Sequence, residues 1–406
     1  MARELNTTVT GSLAAALGRL IHLFARLARS VAGVKPAPAS SGRPSVAVLC
    51  ESFVRYSTAQ AVGLQQAGAD VTLYYVDRLS EFDDDETERD LVLKDAVEAG
   101  VRVVKLPARN MRRLASQTRD LHRDLASHSP EWLVVHAHID PRYATLGLRF
   151  RVLAFVHDPR PHSGDYESAF PVWVRALQRL SEVMSDRLLL HSDRLVPDIV
   201  PFLRSVPVTV IPHGTLTADA PMPIPAAPRL VLTGRLMEYK GIDVALEAFA
   251  DVQRVRPDST LVLAGRGQMG EEIRRAAPAN VELVDRYLTE EEMDELLNSA
   301  TLVLLPYRDA TQSGVGLQAL GRGIPCAVSD AGALPDLVPP SMPTLVSRRG
   351  ESASLATSIL SNIDQTAEHR DEVLEFARTN FDWKAVGRSL LAKLGTTPER
   401  GEQHVG

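Results

Sequence analysis

Leu230-Val231-Leu232-Thr233-Gly234-Arg235-Leu236-Met237-Glu238-Tyr239-Lys240-Gly241 decides the fold. An apolar run stops at Gly234-Arg235 and a short polar loop follows. Ile242, Ala245, Leu246, Phe249 and Val252 then recur at the spacing of one helix face. The order is strand, loop, helix. About seventy residues further on, Thr311-Gln312-Ser313-Gly314-Val315-Gly316 opens a second helix behind another apolar run. Arg235 and Lys240 put a guanidinium and an ammonium on the first loop, and Gly314 and Gly316 free the backbone of the second. Cations facing a glycine-rich helix start suit a diphosphate. A Gly-Arg at a strand end and a Lys-Gly in a solvated loop are each common structural features. Their joint occurrence at strand carboxyl ends, where open parallel sheets bind ligands, points to a nucleotide-sugar site.

Outward from this stretch the chain keeps the same rhythm. Strands are expected at 46–50, 71–76, 101–105, 132–137, 152–156, 188–190 and 208–211, and again at 229–233, 260–264, 281–284, 301–305, 326–329 and 344–346. Helical patterns separate most of them, which requires crossover connections and two mainly parallel sheets. The expected architecture is α/β: two Rossmann-like domains facing across a cleft, at 44–215 and 216–380. Ile211-Pro212-His213-Gly214 and the proline-rich 221–228 form the hinge. A final helix, 381–395, carries Trp383, Val386, Leu390 and Leu391 on one face and is expected to cross back to the first domain.

At 406 residues the chain is long enough for two full cores, and its net charge of −6 gives no basic excess for nucleic acid. Its two cysteines, Cys50 and Cys326, end apolar runs and read as buried thiols in a reducing compartment, hence a cytoplasmic protein. Residues 1–43 stand apart. Leu13, Leu17, Leu20, Phe24, Leu27 and Val31 form the seam of an amphipathic helix with Arg19, Arg26 and Arg29 off it, and 35–44 reads as a linker. The arginines and His22 argue against a secretory signal and exclude a spanning helix. Two readings stay open for residues 12–32: an interfacial helix on an anionic membrane at the inner face of the plasma membrane, and a helix packed on protein. The acidic segment 77–90 reads as a solvated loop leading into a helix. His136 and His138 share one strand face, but no carboxylate or cysteine nearby completes a metal set.

Gly234-Arg235 with Lys240-Gly241, Ala264-Gly265-Arg266-Gly267, Leu305-Pro306-Tyr307, Gly314-Val315-Gly316 and Gly323-Ile324-Pro325 together resemble the group 1 glycosyltransferases, family 4, on the GT-B fold. The resemblance runs from about 45 to 394 and is stronger in the second domain. It implies retaining transfer of a sugar from a nucleotide donor to an acceptor hydroxyl on a polysaccharide precursor or glycolipid, with no cofactor and no metal. Arg235 and Lys240 match the family's phosphate-binding pair, and Ser313, Gly314, Val315 and Gly316 its second phosphate clamp. Gly234, Gly265 and Gly267 let the backbone approach the nucleotide. In the first domain His157, in Val156-His157-Asp158-Pro159, matches a histidine facing the donor sugar, and His138 is placed at the cleft rim.

The chain departs from the family at one place. Two glutamates separated by seven residues usually precede the Gly-x-Pro turn, and the corresponding positions are Ala310 and Gln318. Gln318 can still hydrogen-bond ribose hydroxyls, whereas Ala310 offers no carboxylate, though Asp309 is adjacent. The Thr-Gln-Ser-Gly-Val form of the loop resembles a subgroup that also lacks the first glutamate. A non-catalytic GT-B protein acting as a partner or carbohydrate-binding subunit is the competing reading. An epimerase on the same architecture needs acid and base residues that have no place here.

Overall fold

The computed structural model describes residues 2–31, 43–77, 82, 86–136, 140–159, 172–278 and 280–395. It divides into two compact units, Met1–Pro212 with Trp383–Gly406, and His213–Asp382.

In the first unit a long helix, α1 (Ala2–Val31), precedes β1 (Ser45–Cys50), α2 (Val54–Gln66), β2 (Asp70–Val76), α3 (Glu86–Glu98), β3 (Arg102–Leu106) and α4 (Leu114–His128). There follow β4 (Trp132–His136), β5 (Val152–Phe155), α5 (Val172–Val183), β6 (Arg187–Leu190) and β7 (Val208–Val210). The seven strands pair in parallel in the order β3-β2-β1-β4-β5-β6-β7. Continuous apolar runs such as Trp132-Leu133-Val134-Val135 form the middle of this sheet because both faces are covered, and every residue of β4 is buried. Val48, Val134 and Leu153 pack on one face and Leu49, Leu133 and Val135 on the other, the alternation a pleated strand imposes.

The second unit contains β8 (Arg229–Thr233), α6 (Ile242–Val255), β9 (Thr260–Ala264), α7 (Gly270–Ala276), β10 (Val281–Val284) and α8 (Glu290–Asn298). After these come β11 (Leu302–Leu305), α9 (Gly314–Leu320), β12 (Cys326–Ser329), β13 (Val346–Ser347), α10 (Ser352–Asn362) and α11 (Thr366–Asn380). Its parallel order is β10-β9-β8-β11-β12-β13. In both sheets the order reverses beside the first strand, between β1 and β4 and between β8 and β11. Such reversal points open a crevice at the strand carboxyl ends. The strand expected at 344–346 begins later, because Pro343–Leu345 forms a 3-10 turn and pairing with β12 starts at Val346.

The last helix, α12 (Trp383–Gly395), belongs to the first unit. It packs on α2 with backbones nearly touching: a methyl on Gly63 would meet the Trp383 carbonyl, and one on Gly387 would lie 2.6 Å from the Gly63 carbonyl oxygen. Trp383, Val386 and Leu390 are buried there. Both cysteines are buried thiols, neither of them in a disulfide. Asp77, which opens the acidic segment, is paired with Arg89 and Lys105.

The amphipathic seam of α1 points the other way from a core-packed helix. Gly18, His22, Ala25 and Arg29 form the buried face, while Leu13, Leu17, Leu20, Phe24 and Leu27 are more than half exposed. Gly18 lies against the Phe202 carbonyl, where any side chain would collide. His22 Nδ1 bonds the Val183 carbonyl at 3.1 Å. Arg29 donates to the carbonyls of Gly147 and Met184 and pairs with Asp186 at 3.0 Å. Backbone carbonyls at the contact select small and hydrogen-bonding residues, so apolarity does not identify the packed face here.

Candidate functional site

In the second unit the two loops at the sheet reversal are laced together. The loop after β8 runs through Gly234–Gly241, and the loop after β11 through Pro306–Ser313. The Arg308 amide donates to the Tyr239 carbonyl at 2.7 Å, Gly241 lies against the Pro306 carbonyl, and Arg308 pairs with Asp243.

Lys240 lies inside this lacing. Its Nζ donates to the Tyr307 hydroxyl at 2.6 Å and lies 4.3 Å from the Tyr307 ring centre. The Tyr307 hydroxyl is 3.2 Å from Ser313 Oγ, which in turn accepts from the Gly316 amide at 3.2 Å and caps α9. A hydrogen-bonded line therefore runs from the ammonium to the start of the helix. Burial pushes the Lys240 pKa down to about 8, against a lesser raising effect of Tyr239 and with a still smaller lowering effect of the nearby Arg235. No carboxylate lies within ion-pair distance of Lys240 among the described residues. A desolvated cation without a counter-ion is costly unless an anion arrives. Arg235 is exposed beside it, with its guanidinium carbon 5.9 Å from the Tyr239 ring centre.

The glycines of this site differ in what they face. A methyl on Gly265 would run into the Gly234 carbonyl and one on Gly267 into the Leu236 carbonyl. There the loop after β9 hydrogen-bonds the loop after β8, Leu236 N to Arg266 O at 3.1 Å. Gly265, at φ +136°, also holds a backbone conformation closed to other residues. Gly316 is hemmed in by Leu305 and Leu337, whereas a methyl on Gly314 would meet nothing within 4 Å. Of these four, only Gly314 leaves open space where a ligand can come close. Val315 is half-buried behind it, and Gln318 is exposed. Ala310 is buried, its carbonyl against Gly332, and so shows the solvent little of its methyl.

In the first unit, strand register assembles three imidazoles. Phe155 of β5 stands opposite Leu189 of β6, so two residues later His157 falls beside His191. His136 ends β4. His136 Nδ1 is 3.1 Å from His157 Nε2, and His157 Nδ1 is 3.1 Å from His191 Nε2. His191 Nδ1 lies 3.2 Å from the Ile211 carbonyl, and His136 Nε2 lies 2.7 Å from Gln60 Oε1. A carbonyl only accepts, so the proton of His191 sits on Nδ1. With all three rings neutral, each Nδ1–H then donates to the next Nε2, which leaves His136 Nε2 as an acceptor. Gln60 Nε2 is a buried donor with no partner among the described residues. Turning that amide satisfies the donor and completes the neutral chain; with the oxygen facing His136, the same ring holds a second proton. Tyr56 packs edge-on against all three imidazoles, with ring centres 5.2, 5.3 and 6.0 Å away.

His138 lies outside the described residues. No group of three or more His, Cys, Asp or Glu side chains is arranged to hold a metal ion among the described residues. Tyr307, Gln60, Tyr56 and His191 were not singled out as site residues from sequence. Two of them carried a visible signal: His191, like His157, closes an apolar strand run, and Tyr307 stands in the Leu305-Pro306-Tyr307 stretch.

Residues 227–365 match the family described as Glycosyl transferases group 1. The glycogen synthase of Mycobacterium tuberculosis is 27% identical over 293 residues, 68% of this chain and 69% of that protein. The 2-deoxystreptamine glucosyltransferase of Streptomyces kanamyceticus is 27% identical over 169 residues, covering 40% of this chain and 42% of its own length. Among solved structures, the sucrose-phosphate synthase of Thermosynechococcus elongatus superposes with a TM-score of 0.61 at 14% identity, over 87% of this chain and 98% of that one. Anabaena HepE in complex with UDP and glucose gives a TM-score of 0.60 at 15% identity, over 87% of this chain and 100% of that one. These likenesses establish the two-domain GT-B fold.

Proposed function

We propose that this chain, a group 1 glycosyltransferase on the GT-B fold, is a retaining enzyme that moves a sugar from a nucleoside diphosphate donor to a hydroxyl of a polysaccharide precursor or glycolipid. One observation carries the proposal. Lys240 is a buried ammonium without a counter-ion among the described residues, at the reversal point of the second sheet, beside Arg235 and the open helix start at Gly314.

The chemistry follows from what the reaction releases. The bond between the donor's anomeric carbon and its phosphate oxygen breaks, and the acceptor oxygen bonds that carbon from the same face. The acceptor's proton passes to the departing phosphate oxygen. Negative charge therefore gathers on the diphosphate, and fixed cations in a dry site stabilise it more than they stabilise the bound donor. Lys240 and Arg235 supply that charge, and the amides around Gly314 and Val315 donate to phosphate oxygens. This assignment gives side chains the part that a divalent cation plays elsewhere. Gln318 is assigned to the donor's ribose. His157, steadied by its two imidazole neighbours, is assigned to the sugar. UDP-glucose binding is a property of Anabaena HepE, and UDP with common hexoses is accordingly the first donor class to try.

Calorimetric titration with UDP, GDP, ADP and their sugars, with Arg235→Ala as control, tests the proposal. Micromolar binding of one nucleotide, lost in the variant, and turnover that persists in chelator support it. Absence of binding by every nucleotide transfers the argument to the non-catalytic reading that Ala310 motivates.

A further inference from the structure

We propose that α1 docks the protein onto an anionic lipid surface, with the small and hydrogen-bonding face of the helix clamped to its own unit and the leucine-rich face turned to lipid. Leu13, Leu17, Leu20, Leu23, Phe24 and Leu27 are each more than half exposed along one helix. At about 3.6 residues per turn they make a single continuous stripe. Gly18, His22, Ala25 and Arg29 on the opposite face fix the helix's rotation, so the stripe cannot turn inward without breaking the hydrogen bonds of His22 and Arg29.

Charge selects the occupant. Arg19 and Arg26 are exposed on the flank between stripe and clamp, and no acidic residue occurs from Gly11 to Pro44. The short 3-10 helices that hold α1, Leu146–Leu148 and Pro201–Leu203, are each followed by an exposed arginine, Arg149 and Arg204. In a chain of net charge −6 this surface is locally basic. An apolar stripe edged by guanidiniums matches the boundary between acyl chains and anionic headgroups. A second copy seated stripe to stripe would instead set these like-charged flanks side by side. No helix among the described residues is long and apolar enough to cross a membrane, so α1 lies on the surface.

The test is co-sedimentation of the full chain with vesicles of phosphatidylglycerol and phosphatidylcholine, and with vesicles of phosphatidylcholine alone. The protein should pellet with the first and at least tenfold less with the second. Leu17→Asp with Phe24→Asp should abolish pelleting while leaving the thermal melt unchanged, because both side chains are exposed. Arg19→Glu with Arg26→Glu should erase the preference for the anionic vesicle. The proposal is overturned if the protein pellets with neither vesicle or if the Asp variant still pellets. Light scattering that shows a dimer dissolved by the Asp variant overturns it too, since the stripe is then covered by a second copy.

Discussion

The Lys240 ammonium donates to the Tyr307 hydroxyl at 2.6 Å, and this neutral oxygen stands where a buried cation would ordinarily have a carboxylate. The arrangement keeps Lys240 desolvated and its charge available, at a cost to stability. Replacing it with methionine removes the charge and keeps the volume. Lys240→Met should therefore raise stability at pH 7 by about 1–2 kcal/mol. That is less than the roughly 3 kcal/mol implied by lowering a pKa from 10.5 to about 8, because Tyr307 loses a donor. Nucleotide binding should be lost. Denaturant midpoints with calorimetry decide the matter, and a destabilised variant that still binds would remove Lys240 from the site.

The same residue predicts two pH dependences. Its folded-state pKa lies below its unfolded one, so between about pH 8 and 10.5 the unfolded chain holds more protons. Stability attributable to Lys240 should then rise with pH across that window, and the advantage of Lys240→Met should shrink from pH 7 to pH 10. Donor binding moves oppositely. A diphosphate favours the charged ammonium, so affinity should fall above pH 8 by up to about tenfold per unit. Titration near pH 8 in buffers of different ionisation enthalpy should show proton uptake. Lys240→Arg, charged throughout, should bind with a flat profile whatever its absolute affinity.

The glycines separate structural from ligand roles. Gly265→Ala and Gly267→Ala place a methyl against a neighbouring backbone carbonyl and should each destabilise the protein by roughly 2 kcal/mol or more. Gly314→Ala meets open space and should leave the melt unchanged or slightly raised. Any loss it causes should appear only in nucleotide affinity. Thermal melts beside titrations of the three variants check this, and a normal melt for Gly265→Ala would show that the loop can open.

How far the sequence reached depended on whether its pattern was local. Buried parallel strands are apolar throughout, so Val46–Cys50, Arg229–Thr233 and Cys326–Ser329 were visible as runs. Turn chemistry marked Lys240, Ser313 and Gly314 for the same reason. What escaped was set by contacts distant in sequence. The rotation of α1 follows from carbonyls at Val183, Met184 and Phe202, which the 3.6-residue period of α1 cannot reveal. The burial of Lys240 depends on Tyr307, 67 residues away, and Gln60 meets His136 across 76. Gly265 and Gly267 were legible as special but not as to cause, since a glycine required by a crossing backbone and one required by a ligand look alike in a sequence.

The imidazole chain gives the last prediction. His191 fixes the Nδ1 proton of His157 by accepting it, and its own Nδ1–H is held by the Ile211 carbonyl. His191→Phe keeps the aromatic packing on Phe155 but deletes the acceptor, leaving His157 free to change tautomer. If His157 acts on the donor sugar, kcat should fall by about tenfold to a hundredfold with little change in the donor KM, because the ring stays in place while its proton does not. Gln60→Leu acts from the other end. It removes the amide that either donates to a neutral His136 or accepts from a charged one; the bond to the charged ring is the stronger of the two, so its loss should on balance disfavour the imidazolium and move the acid limb of the pH–rate profile to lower pH. A purely structural chain would give variants with lowered melting temperatures and an unshifted pH profile, and that outcome would withdraw His157 from the chemistry.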